Sequence, residues 1–129
     1  MLARKILIVD DNRITRAMLT DIVKSAGFEV AVAESAETAV RVIVTDVPDV
    51  AIVDQHLDGI DGSEFVRWLQ ACPIPNLREV RLIGISGRLE SGKDLVDAGA
   101  CCFVPKPLQQ ARILEAVHAA LDGRCGPAR

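Results

Sequence analysis

The chain has 129 residues, enough for one domain with a single sizeable core, and half of them are apolar. Three Phe, one Trp and no Tyr leave that core aliphatic and provide no stacking platform for single strands, while a net charge of −3 gives no basic footprint, so direct nucleic-acid binding is excluded as an expectation. Cys72, Cys101, Cys102 and Cys125 form no CxxC pair and have no His at ligand spacing, which argues against zinc; they read as small core residues, with Cys125 an exposed thiol in the tail.

Taken in order, the chain alternates strand and helix. Arg4 and Lys5 precede the apolar run Ile6–Val9, which two acids stop after four residues. That run is a strand, too short for a signal peptide or a membrane span, and the expected location is the cytoplasm, without membrane insertion. Ile14, Met18, Leu19, Ile22 and Val23 recur at helical spacing from Arg13 to Ser25, and Gly27 is the stop signal. Glu29–Ala33 alternates as a short strand. Ser35 reads as the N-cap of a helix running through Thr45, with Glu37 in its first turn and Ala36, Ala39, Val40 and Ile43 turned inward.

Val50–Val53 is the third strand, followed by a turn-rich loop from Asp54 to Gly62. Ser63 to Ala71 forms a helix carrying Phe65, Val66 and Leu69, closed off by Pro73 and Pro75. Val80–Ile85 is the fourth strand. Asp94–Ala98 is the clearest part of a weaker fourth helix bracketed by Gly92 and Gly99. Cys102–Val104 is the fifth strand, and the Cys101–Cys102 pair reads as buried at its start rather than as a redox couple. Leu108–Leu121 is the last helix, with Leu114, Val117 and Leu121 on one face.

Five strand–helix repeats demand a parallel sheet with right-handed crossovers and helices on both faces. The expected architecture is α/β, a flavodoxin-like three-layer (βα)5 sandwich with strand order 2-1-3-4-5 over residues 1–122; residues 123–129 form a frayed tail. In such sheets ligands bind at the carboxyl edge. Asp10 and Asp11 follow the first strand, Asp54 the third, Ser86 the fourth, and Lys106 follows Phe103-Val104-Pro105. Three carboxylates at one edge repel one another by about 4 kcal/mol per pair at 4 Å and an effective dielectric of 20, so a cation belongs there. Oxygen-rich pockets of this kind take Mg2+, and Mg2+ with a lysine could hold a phosphoryl group against Asp54.

The stretches Ile-Leu-Ile-Val-Asp10-Asp11-Asn12, Val-Asp54-Gln-His-Leu-Asp-Gly-Ile-Asp61-Gly62, Gly-Ile-Ser86-Gly87 and Val-Pro-Lys106-Pro107 together resemble the receiver domain of two-component response regulators, of the single-domain type that includes chemotaxis regulators. The likeness runs from about Lys5 to Leu121. It implies that Asp54 is the phosphoacceptor and that Asp10, Asp11, Asp54 and the backbone carbonyl of His56 make the Mg2+ site, Asp10 mainly through water. It also implies that Lys106 pairs with the acid and then with phosphoryl oxygens, and that Lys106–Pro107 is a cis peptide. Ser86, followed by Gly87, would be drawn toward the new phosphoryl group, and Phe103, standing where Tyr is more familiar, would fill the space it leaves. The surface remodelled would be that of the fourth predicted helix, the fifth strand and the last helix.

Three neighbours set this chain apart. Asp58 stands where many relatives have Pro and would add a fourth nearby acid, while His56 and Arg88 flank the route of the hydrolysing water. His118 reads as a surface residue. The expected function is a phosphorylation switch served by a sensor histidine kinase or a phosphotransfer protein, acting through a protein effector or by phosphorelay, and not an enzyme beyond assisting its own phosphorylation and dephosphorylation. Other readings are a receiver excised from a hybrid kinase or larger regulator, and a receiver-like scaffold that does not cycle phosphate. Mononucleotide binding on the same fold is disfavoured, because two acids after the first strand repel a phosphate.

Overall fold

The computed structural model describes residues 4–123; the expected tail beyond Gly123, with Cys125, lies outside the described residues. Five parallel strands form one sheet in the order β2-β1-β3-β4-β5, with β1 at Lys5–Val9, β2 at Glu29–Ala33, β3 at Val50–Asp54, β4 at Arg81–Ser86 and β5 at Cys102–Pro105. The helices are α1 (Arg13–Ser25), α2 (Ala36–Thr45), α3 (Gly62–Ala71), the single turn α4 (Pro75–Arg78), α5 (Leu89–Ala98) and α6 (Gln110–Leu121). The fold class and strand order match the expectation.

The strands are apolar on both sides because both faces are covered. Leu7, Val9, Ala51, Val53 and Leu82 point to one face and pack with Ala39 and Ile43 of α2, Phe65 and Leu69 of α3 and Leu95 of α5. Ile6, Ile8, Ile52, Ile83 and Ile85 point to the other and pack with Leu19 and Val23 of α1 and Ile113 and Val117 of α6. Each Val, Leu, Ile or Phe among them contributes about 1.5–3 kcal/mol when fully buried. Alternation along a strand thus assigns its buried residues to one of two cores.

The start signal at Ser35 acts as read, and a second one, at Asn12, joins it. The Ser35 hydroxyl accepts from the Thr38 N–H at 3.1 Å to cap α2, and the Asn12 side chain accepts from the Thr15 N–H at 3.0 Å to cap α1. Helix α3 ends at Ala71, before Pro73, but α4 was not expected; there Pro75 takes the first helical turn, where a missing N–H leaves no bond unmade. The last helix packs the expected Leu114, Val117 and Leu121 against the sheet but buries more than these. Ile113, Ala116, Val117 and Ala120 are buried, while Leu114 and Leu121 sit half-buried at its flank, because the small residues let the helix lie close to the sheet.

The fourth long helix, α5, begins at Leu89, well before Asp94–Ala98, the part clearest in the sequence, and the reason is tertiary. A β-carbon on Gly92 would stand 2.4 Å from the Phe103 ring, and one on Gly84 of β4 would stand 2.5 Å from Leu95 Cδ1. Phe103 and Gly84 are themselves register neighbours on β5 and β4. The helix therefore seats Phe103 in its own glycine notch and inserts Leu95 into the sheet's, and this close packing outweighs the roughly 1 kcal/mol helix penalty of Gly92.

Candidate functional site

The carboxyl edge of β1, β3, β4 and β5 gathers the polar residues that the core excludes. Asp10 leaves β1 fully buried, its N–H bonded to the Ala33 carbonyl of β2 at 3.1 Å. One carboxylate oxygen, Oδ1, accepts from the Asn12 N–H at 2.8 Å, while Oδ2 is buried without a hydrogen-bond partner among the described residues. Burial pushes the Asp10 carboxyl up from 3.8 to about 6, with the Asp54 charge adding to the rise and the Asn12 N–H opposing it. Arg16 of α1 donates to the Asp10 carbonyl at 2.8 Å and holds this corner in place.

Asp54 ends β3 with 3% of its surface exposed. Its Oδ1 accepts from the His56 N–H at 3.4 Å, and its Oδ2 faces the Lys106 ammonium at 3.4 Å. Asp10, the exposed Asp11 and Asp54 each offer an oxygen within 4.8 Å of the others. Three acids and one lysine thus share a pocket that is short of positive charge.

The loop after Asp54 is held by residues that the sequence reading did not single out. Gln55 is 5% exposed; its Oε1 accepts from the Ser63 N–H at 2.9 Å and its amide nitrogen donates to the Ser63 hydroxyl at 3.3 Å. The Gly62 N–H donates to the Gln55 carbonyl at 2.8 Å, and a β-carbon at Gly62 would fall 2.3 Å from the Asp54 carbonyl oxygen. The start of α3 is therefore clamped against the backbone of Asp54. The sequence cue was Asp61-Gly62-Ser63-Glu64, which spells a helix start; the Glu64 carboxylate does accept from the Asp61 N–H at 3.3 Å.

The other expected site residues divide. Ser86 is fully buried at the same edge, but its hydroxyl donates to the Arg88 carbonyl at 2.9 Å and accepts from the Arg88 N–H at 3.1 Å, so it is turned to the start of α5 rather than to Asp54. The Lys106 N–H bonds to the Ser86 carbonyl at 2.8 Å, and Lys106–Pro107 is cis. Open space lies where a Gly87 β-carbon would stand. The side chains of His56 and Arg88 are exposed, and Phe103 is half-buried on Gly92. Asp58 does not join the carboxylate cluster; it lines a groove beside Ile60 and Trp68, because Gly59, at φ +95°, turns the chain away.

A family model of the response regulator receiver domain matches residues 6–118. The chain belongs to this family. It is 35% identical over 127 residues to the chemotaxis protein CheY of Bacillus subtilis (strain 168), spanning 94% of this chain and 100% of that one. It is 34% identical over 122 residues to the transcriptional activator protein ExaE of Pseudomonas putida, covering 92% of this chain but 55% of ExaE. Among solved structures, the CheY-like receiver domain protein from Methanospirillum hungatei JF-1 matches with a TM-score of 0.83 at 26% identity, over 95% of this chain and 97% of that one. Receiver domains are signalling modules of two-component systems, which work with histidine kinases and downstream effectors and bind Mg2+ in an acidic pocket.

This receiver's pocket fits such an ion. Its donors are all carboxylate oxygens, and the unpartnered Asp10 Oδ2 is a buried acceptor that a hard cation would satisfy. No helix among the described residues is long and apolar enough to cross a membrane.

Proposed function

We propose that this receiver is a phosphorylation switch in which Asp54 accepts a phosphoryl group from a phosphohistidine of a sensor kinase or a phosphotransfer protein. An Asp54 oxygen forms the new P–O bond as the P–N bond to the histidine breaks, and the imidazole leaves with the bonding pair to take up a proton. The observation that carries this reading is the 3.4 Å approach of Lys106 to Asp54 beside two further acids, at the sheet edge.

Asp10, Asp11, Asp54 and the His56 backbone carbonyl would hold Mg2+, which when bound neutralises charge on the transferring phosphoryl oxygens. Lys106 binds a phosphoryl oxygen and keeps the Asp54 carboxylate aimed. Ser86 exchanges its bonds to the Arg88 backbone for a phosphoryl oxygen, which frees the start of α5. Because Phe103 is seated on α5, that release alters the α5–β5–α6 face, where a protein effector would read the state. His56 and Arg88 border the phosphoryl group and tune its lifetime, and Gly87 and Pro107 shape the two loops around it. The setting proposed is cytoplasmic.

Incubation with Mg2+ and acetyl phosphate, followed by intact mass, tests this. Wild type gains one phosphate and Asp54→Asn gains none; uptake that survives the substitution, or no uptake in wild type, rejects the assignment. A second reading, a receiver module of a hybrid kinase or larger regulator, is favoured by ExaE, of which the chain covers 55%. The size of the polypeptide recognised in its native cells by an antibody against this domain separates the two.

A further inference from the structure

Away from the acidic cluster, a groove of about 450 Å³ runs between the first turn of α2, the loop after β3 and the outer side of α3. Val40 and Phe65 line it from the core, while Ile60 and Trp68 line it at the surface, 37% and 43% exposed. The indole is held rather than free: it stacks on the Phe65 ring at 6.4 Å between centroids and 14° between planes. Among the described residues, the ionisable side chains that line the groove, Glu37, Asp58 and Glu64, are acids.

Two of these acids already have partners. Glu37 pairs with Arg41 at 3.2 Å and Glu64 accepts from the Asp61 N–H, each in the first turn of its helix, where a negative charge offsets the helix dipole. Asp58 has no hydrogen bond or ion pair among the described residues. An apolar cleft with a fixed indole at its mouth and negative charge around it is complementary to a ligand that brings apolar surface and positive charge together.

We infer that the α2–α3 groove docks a segment of a protein partner in which an apolar side chain is flanked by Arg or Lys. The apolar side chain fills the groove, and the cation faces Asp58 and the Trp68 ring. The docking requires neither phosphate nor metal, so its test stands or falls apart from the role of Asp54.

Trp68 is the chain's single tryptophan, so its fluorescence reports the groove directly. The probe is an acetylated peptide with two leucines four residues apart, flanked by arginines; its controls replace the leucines by alanine or the arginines by glutamate. The leucine–arginine peptide is expected to shift Trp68 emission to the blue with saturation, and the controls are not. Asp58→Asn should weaken binding roughly two- to five-fold, the effect of one exposed charge pair. Ile60→Ala should weaken it without changing the salt dependence. Glu115→Gln, the same loss of charge on α6 at the opposite face of the sheet, should leave it unchanged. Absence of a saturable shift, equal binding of the alanine peptide, or equal weakening by Glu115→Gln overturns the inference. So does self-association of the protein alone that shifts Trp68 emission, which would assign the groove to a second copy of the chain.

Discussion

The Phe103 ring occupies the space where a β-carbon on Gly92 would stand, 2.4 Å from two of its carbons. Helix α5 and strand β5 are thereby fitted together at one residue pair, on the face through which the proposed switch is read. Gly92→Ala must push the ring or the helix aside. It should destabilise the protein by about 1–3 kcal/mol, the usual result of overpacking, despite alanine's better helix propensity. Phe103→Ala removes the obstacle, so the double variant should be more stable in urea unfolding than the sum of the two single losses.

Asp10 sets a pH dependence whose sign follows from its raised carboxyl. Between about pH 4 and 6 the unfolded chain has lost this proton while the folded chain keeps it, so this residue's contribution to stability falls as pH rises and is level above 6. Asp10→Asn removes the penalty while keeping an acceptor for the Asn12 N–H. In the absence of metal the variant should be more stable than wild type above pH 6, by about 2–3 kcal/mol, and the advantage should vanish by pH 4. Thermal unfolding across that range checks it, and Mg2+ should raise the midpoint of wild type far more than that of the variant.

Lys106 is the cation that faces Asp54, and it competes with a metal for the same carboxylates. Lys106→Met should bind Mg2+ more tightly than wild type, by several-fold, since one positive charge 3.4 Å from Asp54 is lost. Its metal-free form should be less stable, because Asp54 is left buried and unpaired. Calorimetric titration with Mg2+ and urea unfolding read the two effects, while Lys106→Ala should still take up some phosphate from acetyl phosphate but fail to bind its effector.

The Gln55–Ser63 clamp is testable on its own. Gln55→Leu leaves the Ser63 N–H and hydroxyl buried without their partner and should cost about 1–3 kcal/mol. Ser63→Ala, which loses only the hydroxyl, should cost less. Both should slow phosphate uptake from acetyl phosphate in the intact-mass assay, because α3 starts against the backbone of Asp54.

Much of this protein could be read from local patterns. Ile6–Val9 and Val50–Val53 announce buried strands, Ser35 and Asn12 cap helices through bonds three residues long, and the placing of Asp10, Asp11, Asp54 and Lys106 after strands puts them at one edge once the sheet is parallel. Features that depend on side chains distant in sequence were not legible. The length of α5 rests on Phe103 meeting Gly92, and the burial of Ile113 and Ala116 on how close α6 lies to the sheet.

The sequence by itself determined the sheet, its order and the acids at its carboxyl edge, because strand periodicity and helix caps are short-range and each residue carries its own signal. Only the tertiary structure decided which oxygen of Asp10 is stranded, that Ser86 is turned toward Arg88, that Gln55 clamps α3, and that Phe103 lies in a notch of α5. Ser86 and Arg88, or Gln55 and Ser63, are close in sequence, but which partner each side chain takes is settled only when the two cores close on the sheet and fix the loops at its edge.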